Sequence, residues 1–258
     1  MCYNGTTVLS AQEVYIDMSL NNILIIFAIY LFAMIIQRVC GFGMGIIAIM
    51  ILPYFTGSHA HAAAYTNILS AISASYIAWK FRENVRWKLT IPILCGSYLA
   101  TFLSIRFLGN ASFDLMEKIL GVMLLVLSVY FLFFKGKIKL PSDPQYGFLA
   151  GIIGGTANGL FGAGGPPVVI YLLGATGSHA VYLATIQGYF AFNNIYATIV
   201  RYLNGQLTPE ILTGLWGALP AMVLGIFLGD RLAPHLPDKT ILKGIYILMA
   251  LSGLRMIL

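Results

Sequence analysis

The chain has 258 residues, of which 59% are hydrophobic and only 9% charged, with a mean hydropathy of +0.85 and a formal net charge of +6. A soluble domain carries about a quarter charged residues, so this composition excludes an ordinary soluble protein and predicts an all-α, polytopic membrane protein. A membrane β-barrel would alternate apolar and polar residues instead of forming solid apolar blocks, and the basic residues fall in short connections between blocks, where they orient spans and do not form a nucleic-acid surface.

Residues 1–19 form a polar opening that carries Glu13 and Asp17 but no Lys or Arg, so it lacks the basic start of a signal peptide. The first apolar run, Ile23–Ile36, leads into Gln37, Arg38 and the cluster Gly41-Phe42-Gly43-Met44-Gly45. Further apolar runs follow at Ala62–Ala78, Leu89–Leu108 and Ile119–Phe134. Several approach the roughly 20 residues that a helix needs to span a bilayer. A basic connection, residues 135–146, then leads to a second series that starts at Gly147.

This second series opens with the most irregular stretch of the chain. Gly159-Leu160-Phe161-Gly162-Ala163-Gly164-Gly165-Pro166-Pro167 interrupts an apolar segment running from Phe148 to Leu173. Glycine and paired prolines are poor inside a helix, whereas proline suits a first helical turn. The expectation is a helix from Gly147 to about Leu160, a break, and a new helix from Pro166 or Pro167. In lipid such a break survives only where protein buries it or water reaches it. The new helix start would aim free N–H groups and a positive dipole end into the break, which favours an anion. Gly151 and Gly155 read instead as a close-packing stripe.

The two series look like a duplication. Gly45 matches Gly165 and Asn84 matches Asn204, while His61-Ala62 is set against His179-Ala180. Repeats of this kind meet at the substrate site in many transporters. Residues 20–134 and 147–258 are thus expected to be two repeats, each a glycine-broken helix or hairpin followed by three spanning helices. If both breaks are hairpins, ten basic residues fall on one side and four on the other, with Arg38 inside the membrane. If both are single crossings the split is nine to five. The hairpin arrangement, which makes the second repeat inverted, is favoured by the positive-inside rule.

The paired glycine clusters, with Pro53 after the first and Pro166-Pro167 closing the second, resemble the signatures of the TauE/SafE sulfite exporter family. The basic connection from Lys80 to Lys88 fits as well, and the likeness runs from Leu20 onward. It implies a multi-pass cell-membrane transporter of sulfur-containing anions, such as sulfite, thiosulfate, sulfoacetate or another organosulfonate.

The expected binding set is Gln37, Arg38, Gly41, Gly43 and Gly45 from the first half, with Gly162, Gly164, Gly165, Pro166, Gln187 and Asn194 from the second. An embedded Arg38 suits an anion, or else pairs structurally. Gln187 and Asn194, two turns apart, share an inward face of one helix, and with Asn193 they serve either ligand contact or interhelical bonding, with Asn67, Ser70 and Ser75 as counterparts. Arg201, near a helix end, reads as interfacial. Cys2, Cys40 and Cys95 are scattered, and His59, His61, His179 and His235 form no metal or haem constellation. No cofactor and no enzymatic activity are expected. An anion channel and a non-transporting assembly subunit are the rival readings.

Overall fold

A computed structural model describes residues 20–108, 111–134, 141–232 and 238–258. The polar opening, Lys135, Lys137, Lys139 and His235 lie outside the described residues. Among those described, all regular structure is helical. The helices are α1 (Leu20–Cys40), α2 (Met44–Ile51), α3 (Pro53–Thr56), α4 (His59–Lys80), α5 (Trp87–Leu103), α6 (Phe113–Val129), α7 (Pro144–Phe161), α8 (Gly165–Ala175), α9 (His179–Leu203), α10 (Pro209–Leu232) and α11 (Asp238–Ile257). Short π-helical turns extend α5 to Leu108 and α6 to Phe134. The second half begins three residues earlier than the glycine at 147 suggested, because Asp143 caps α7 through Gln145 N–H and Pro144 fills its first turn.

Among the described residues, four helical segments are long and apolar enough to cross a membrane: Leu20–Arg38, Trp87–Phe107, Phe113–Phe134 and Pro209–Leu232. Their outward faces carry exposed Phe32, Leu99, Val126 and Val223, the surface that a bilayer solvates. The helices α4 and α9 are as long, with 22 and 25 residues, or about 33 and 37 Å. They are more polar because they form the interior, burying Thr66, Asn67, Ser70 and Ser73 on α4 and Gln187, Asn193 and Asn194 on α9.

Both glycine breaks turn the chain back on itself. The Tyr171 hydroxyl of α8 donates to the Asp143 carbonyl at the start of α7 (3.3 Å), and Val168 and Gly164 lie against Gly154. So α8 runs antiparallel to α7. In the first half Leu52, Phe55 and Thr56 share a recess with Asn22, Ile25 and Ile26, so α2 and α3 return to where α1 began. Each half is therefore a hairpin followed by three helices.

Packing respects an exchange of the halves. Helix α5 lies along α7 as α10 lies along α1, while α4 packs on α9 and α6 on α11. Tyr65 of α4 donates to the Glu210 carbonyl at the start of α10; 120 residues later, Thr185 of α9 accepts from the Arg86 N–H just before α5. The helix caps correct the alignment of histidines. Ser58 caps α4 and Ser178 caps α9, so Gly57-Ser58-His59-Ala60 matches Gly177-Ser178-His179-Ala180, and His61 is not the partner of His179. The stripe at Gly151 and Gly155 is the packing device expected, since a methyl on either would stand 2.1 Å from the Ile93 carbonyl oxygen or 2.4 Å from that of Ser97.

Candidate functional site

The breaks at residues 41–43 and 162–164 lie side by side, level with the middle of α4 and α9. A methyl on Gly45 would stand 2.2 Å from the Gly162 carbonyl oxygen, and one on Gly165 would lie 3.7 Å from Phe42 Cβ. These are equivalent contacts across the two halves. Gly43 (φ 121°) and Gly162 (φ 66°) hold backbone angles that side chains avoid, which lets each chain reverse within three residues.

Between the tips is a cavity of about 20 Å³, room for roughly one water. Gln37 and residues 42–46 bound it from the first hairpin, Asn158 and residues 162–166 from the second, with Thr66, Ser70, Phe190 and Asn194 from the inner helices. Among the described residues, no titratable side chain lines it. Neither α2 nor α8 has a side-chain cap, so the leading N–H groups of α2, from Met44, Gly45 and Ile46, lack helical acceptors. The α8 end is poorer in donors than expected, since Pro166 and Pro167 remove two N–H groups from its first turn.

Hydrogen bonds orient the amides around the cavity. Arg201 Nε donates to Asn67 Oδ1 (2.9 Å). Asn67 Nδ2 donates to Asn158 Oδ1 (3.3 Å) and to Asn194 Oδ1 (2.8 Å). Asn194 Nδ2 donates in turn to Ser70 Oγ and the Phe190 carbonyl. Two buried donors on the cavity wall find no partner: Asn158 Nδ2 and Gln37 Nε2, in residues 3% and 5% exposed.

Of the expected residues, Gln37, Gly43, Gly45, Gly162, Gly164, Gly165, Pro166 and Asn194 come together at this cavity. Gly41 and Gln187 stand behind it, the Gln187 amide donating to the Gly41 carbonyl (3.3 Å). Arg38 is directed elsewhere: its guanidinium pairs with Asp230 in the last turn of α10. Arg201 corrects the sequence reading. It is 1% exposed, because the chain folds back over the end of α9 and Gln206 Oε1 accepts from its Nη1 (2.8 Å). Thr66 and Asn158 were missed. Asn158 sits in a small-residue stretch that reads as packing, and Thr66 directly precedes the polar row of α4 that begins at Asn67.

Two recesses occupy equivalent places at the ends of the molecule. One, about 190 Å³, lies between the first hairpin and the starts of α4 and α10, beside His61, Tyr65 and Glu210. The other, about 420 Å³, lies between the second hairpin and the starts of α9 and α5, beside Arg86 and Ser178.

Comparison with known proteins agrees with this architecture. Residues 26–256 match the family model described as sulfite exporter TauE/SafE. The chain belongs to the TauE/SafE family. It is also similar to the probable sulfite/organosulfonate exporter TauE of Cupriavidus necator, 22% identical over 209 residues that cover 79% of this chain and 81% of that protein. No solved structure matches. Members of the TauE/SafE family are membrane transporters and not enzymes, and the apolar helices described above are those of a multi-pass membrane protein.

Proposed function

We propose that this protein exports a sulfur-containing oxyanion, such as sulfite, thiosulfate or an organosulfonate, across the cell membrane by alternating access between two inverted repeats. The observation that carries the proposal is the pair of unpartnered buried donors, Asn158 Nδ2 and Gln37 Nε2, beside an uncapped helix start in a cavity without a carboxylate. A buried donor without an acceptor costs about 1–3 kcal/mol, and an oxyanion supplies acceptors to both. The names of the family and of the Cupriavidus necator relative point to the same cargo.

The cavity is too small for such an anion as it stands, so its lining must rearrange to admit one. The recesses lie on opposite sides, one beside each hairpin, where alternating access would open a mouth. Lys80, Arg82, Arg86 and Lys88 lie by the larger recess side, as do Arg231 and Lys243, while Arg106, Lys118 and Arg255 lie on the other. By the positive-inside rule the larger recess faces the cytoplasm. Export of an anion from a cell negative inside is favoured by about 2.3 kcal/mol per charge per 100 mV, so the transporter needs no coupled proton. Asp114, Glu117, Glu210 and Asp230 all lie near helix ends, leaving no carboxylate relay through the centre.

The test is flux in proteoliposomes. Vesicles should accumulate labelled sulfite under an inside-positive potential, with a saturable rate. Flux that rises without saturation would make the protein a channel. Absence of potential-dependent flux for sulfite, thiosulfate and sulfoacetate, together with no anion-dependent thermal stabilisation, would leave a structural subunit.

A further inference from the structure

We propose that Arg201 is a positioning residue for the cavity: through Asn67 it fixes which end of the Asn158 amide faces the ligand, and so makes the site select an acceptor-rich anion. The inference rests on the anion-site reading above and names the device behind its selectivity.

Arginine carries donors only and stays charged. Its contact at Asn67 therefore must be the amide oxygen, which leaves Asn67 Nδ2 to donate to Asn158 and Asn194. Asn158 then presents its oxygen to Asn67, and its NH2 group is left facing the cavity. The guanidinium thereby sets Asn67 directly and Asn158 through it, while Asn194, whose Nδ2 donates to the Phe190 carbonyl, is held in the matching orientation. A second Arg201 nitrogen donates to the Gly159 carbonyl, in the last turn of α7, which ties the same charge to the frame of the second hairpin.

A purely structural role does not account for this arrangement. Among the described residues Arg201 has no carboxylate partner, although a buried charge is costly unless paired. Apolar packing would hold α9 against α4 at less cost. The other half offers no equivalent, because Phe81 stands 120 residues earlier and is exposed. The charge is thus confined to one side of a site whose framework is otherwise repeated.

The test compares Asn67→Asp and Arg201→Gln with the wild type in thermal unfolding, with and without sodium sulfite, and in proteoliposome flux. Asp at position 67 still accepts from Arg201, now as an ion pair, but cannot donate to Asn158. The expected result for Asn67→Asp is a ligand-free unfolding temperature equal to or above wild type, with half-saturating sulfite raised at least tenfold. Arg201→Gln should lose affinity similarly, while Arg201→Lys, which keeps the charge and a donor, should recover much of it. If Asn67→Asp and Arg201→Gln bind sulfite like the wild type, the inference falls alone. If the wild type itself shows no response to sulfite or thiosulfate, the anion-site reading falls and takes the inference with it.

Discussion

Replacing Gly45 by alanine tests whether the spacing of the two hairpin tips sets the site. The new methyl would stand 2.2 Å from the Gly162 carbonyl oxygen, with Gly162 C and Ala163 Cα at 3.1 and 3.2 Å. Ordinary contact begins at 3.4 Å, so the tips must separate by about 1 Å. The obstacle is backbone, and no side-chain rotation relieves it. Overpacking of this kind costs about 1–3 kcal/mol, and a 1 Å displacement of binding groups can cost on the order of 100-fold. Gly45→Ala should lower the unfolding temperature by roughly 2–12 °C, at 2–4 °C per kcal/mol, and raise half-saturating sulfite about 10- to 100-fold in proteoliposomes. Gly177→Ala is the matched control, because nothing lies within 4 Å of its methyl, and it should behave as wild type. A folded Gly45→Ala protein with unchanged sulfite affinity would refute the reasoning.

Arg38→Ala removes an ion pair whose side chains are 18% and 51% exposed; such pairs contribute at most about 1 kcal/mol. The unfolding temperature should fall slightly and sulfite half-saturation should stay near wild type. Gly151→Ala places a methyl 2.1 Å from the Ile93 carbonyl oxygen, remote from the cavity, and should destabilise by about 1–3 kcal/mol while the folded fraction keeps its affinity. Ser58→Ala and Ser178→Ala each remove a helix cap and should each cost about 1 kcal/mol, by equal amounts if the halves are equivalent. With Cys2, Cys40 and Cys95 replaced by alanine, Ser112→Cys should react with an impermeant thiol reagent from outside intact cells and Arg82→Cys should not; the reverse pattern would invert the topology.

The fold was legible where sequence constrains the backbone directly. Glycine clusters and paired prolines located both breaks, because few other residues tolerate such geometry, and α8 begins at Gly165 as those residues require. Hairpin against single crossing was harder to read, since it depends on contacts such as Tyr171 with Asp143 that no local pattern announces. Charge positions were less legible. Arg38 beside a break left anion contact and structural pairing both open, and the residue that pairs with it, Asp230, lies 192 residues away. Arg201 near a helix end looked wet, but residues 204–206 fold over it. Asn158 was hidden by its neighbours, since an amide among glycines reads as packing until Asn67 is seen across from it.

The unequal recesses carry one more consequence. Two halves of like design hold different shapes here, one gap near 190 Å³ and its counterpart near 420 Å³. Under the proposed alternating access, each half is the template for the shape its twin would take, with the wide mouth then beside Glu210 and the narrow one beside Arg86. Distances between spin labels across the two mouths would change in opposite directions over one cycle, and unchanged distances would refute the exchange.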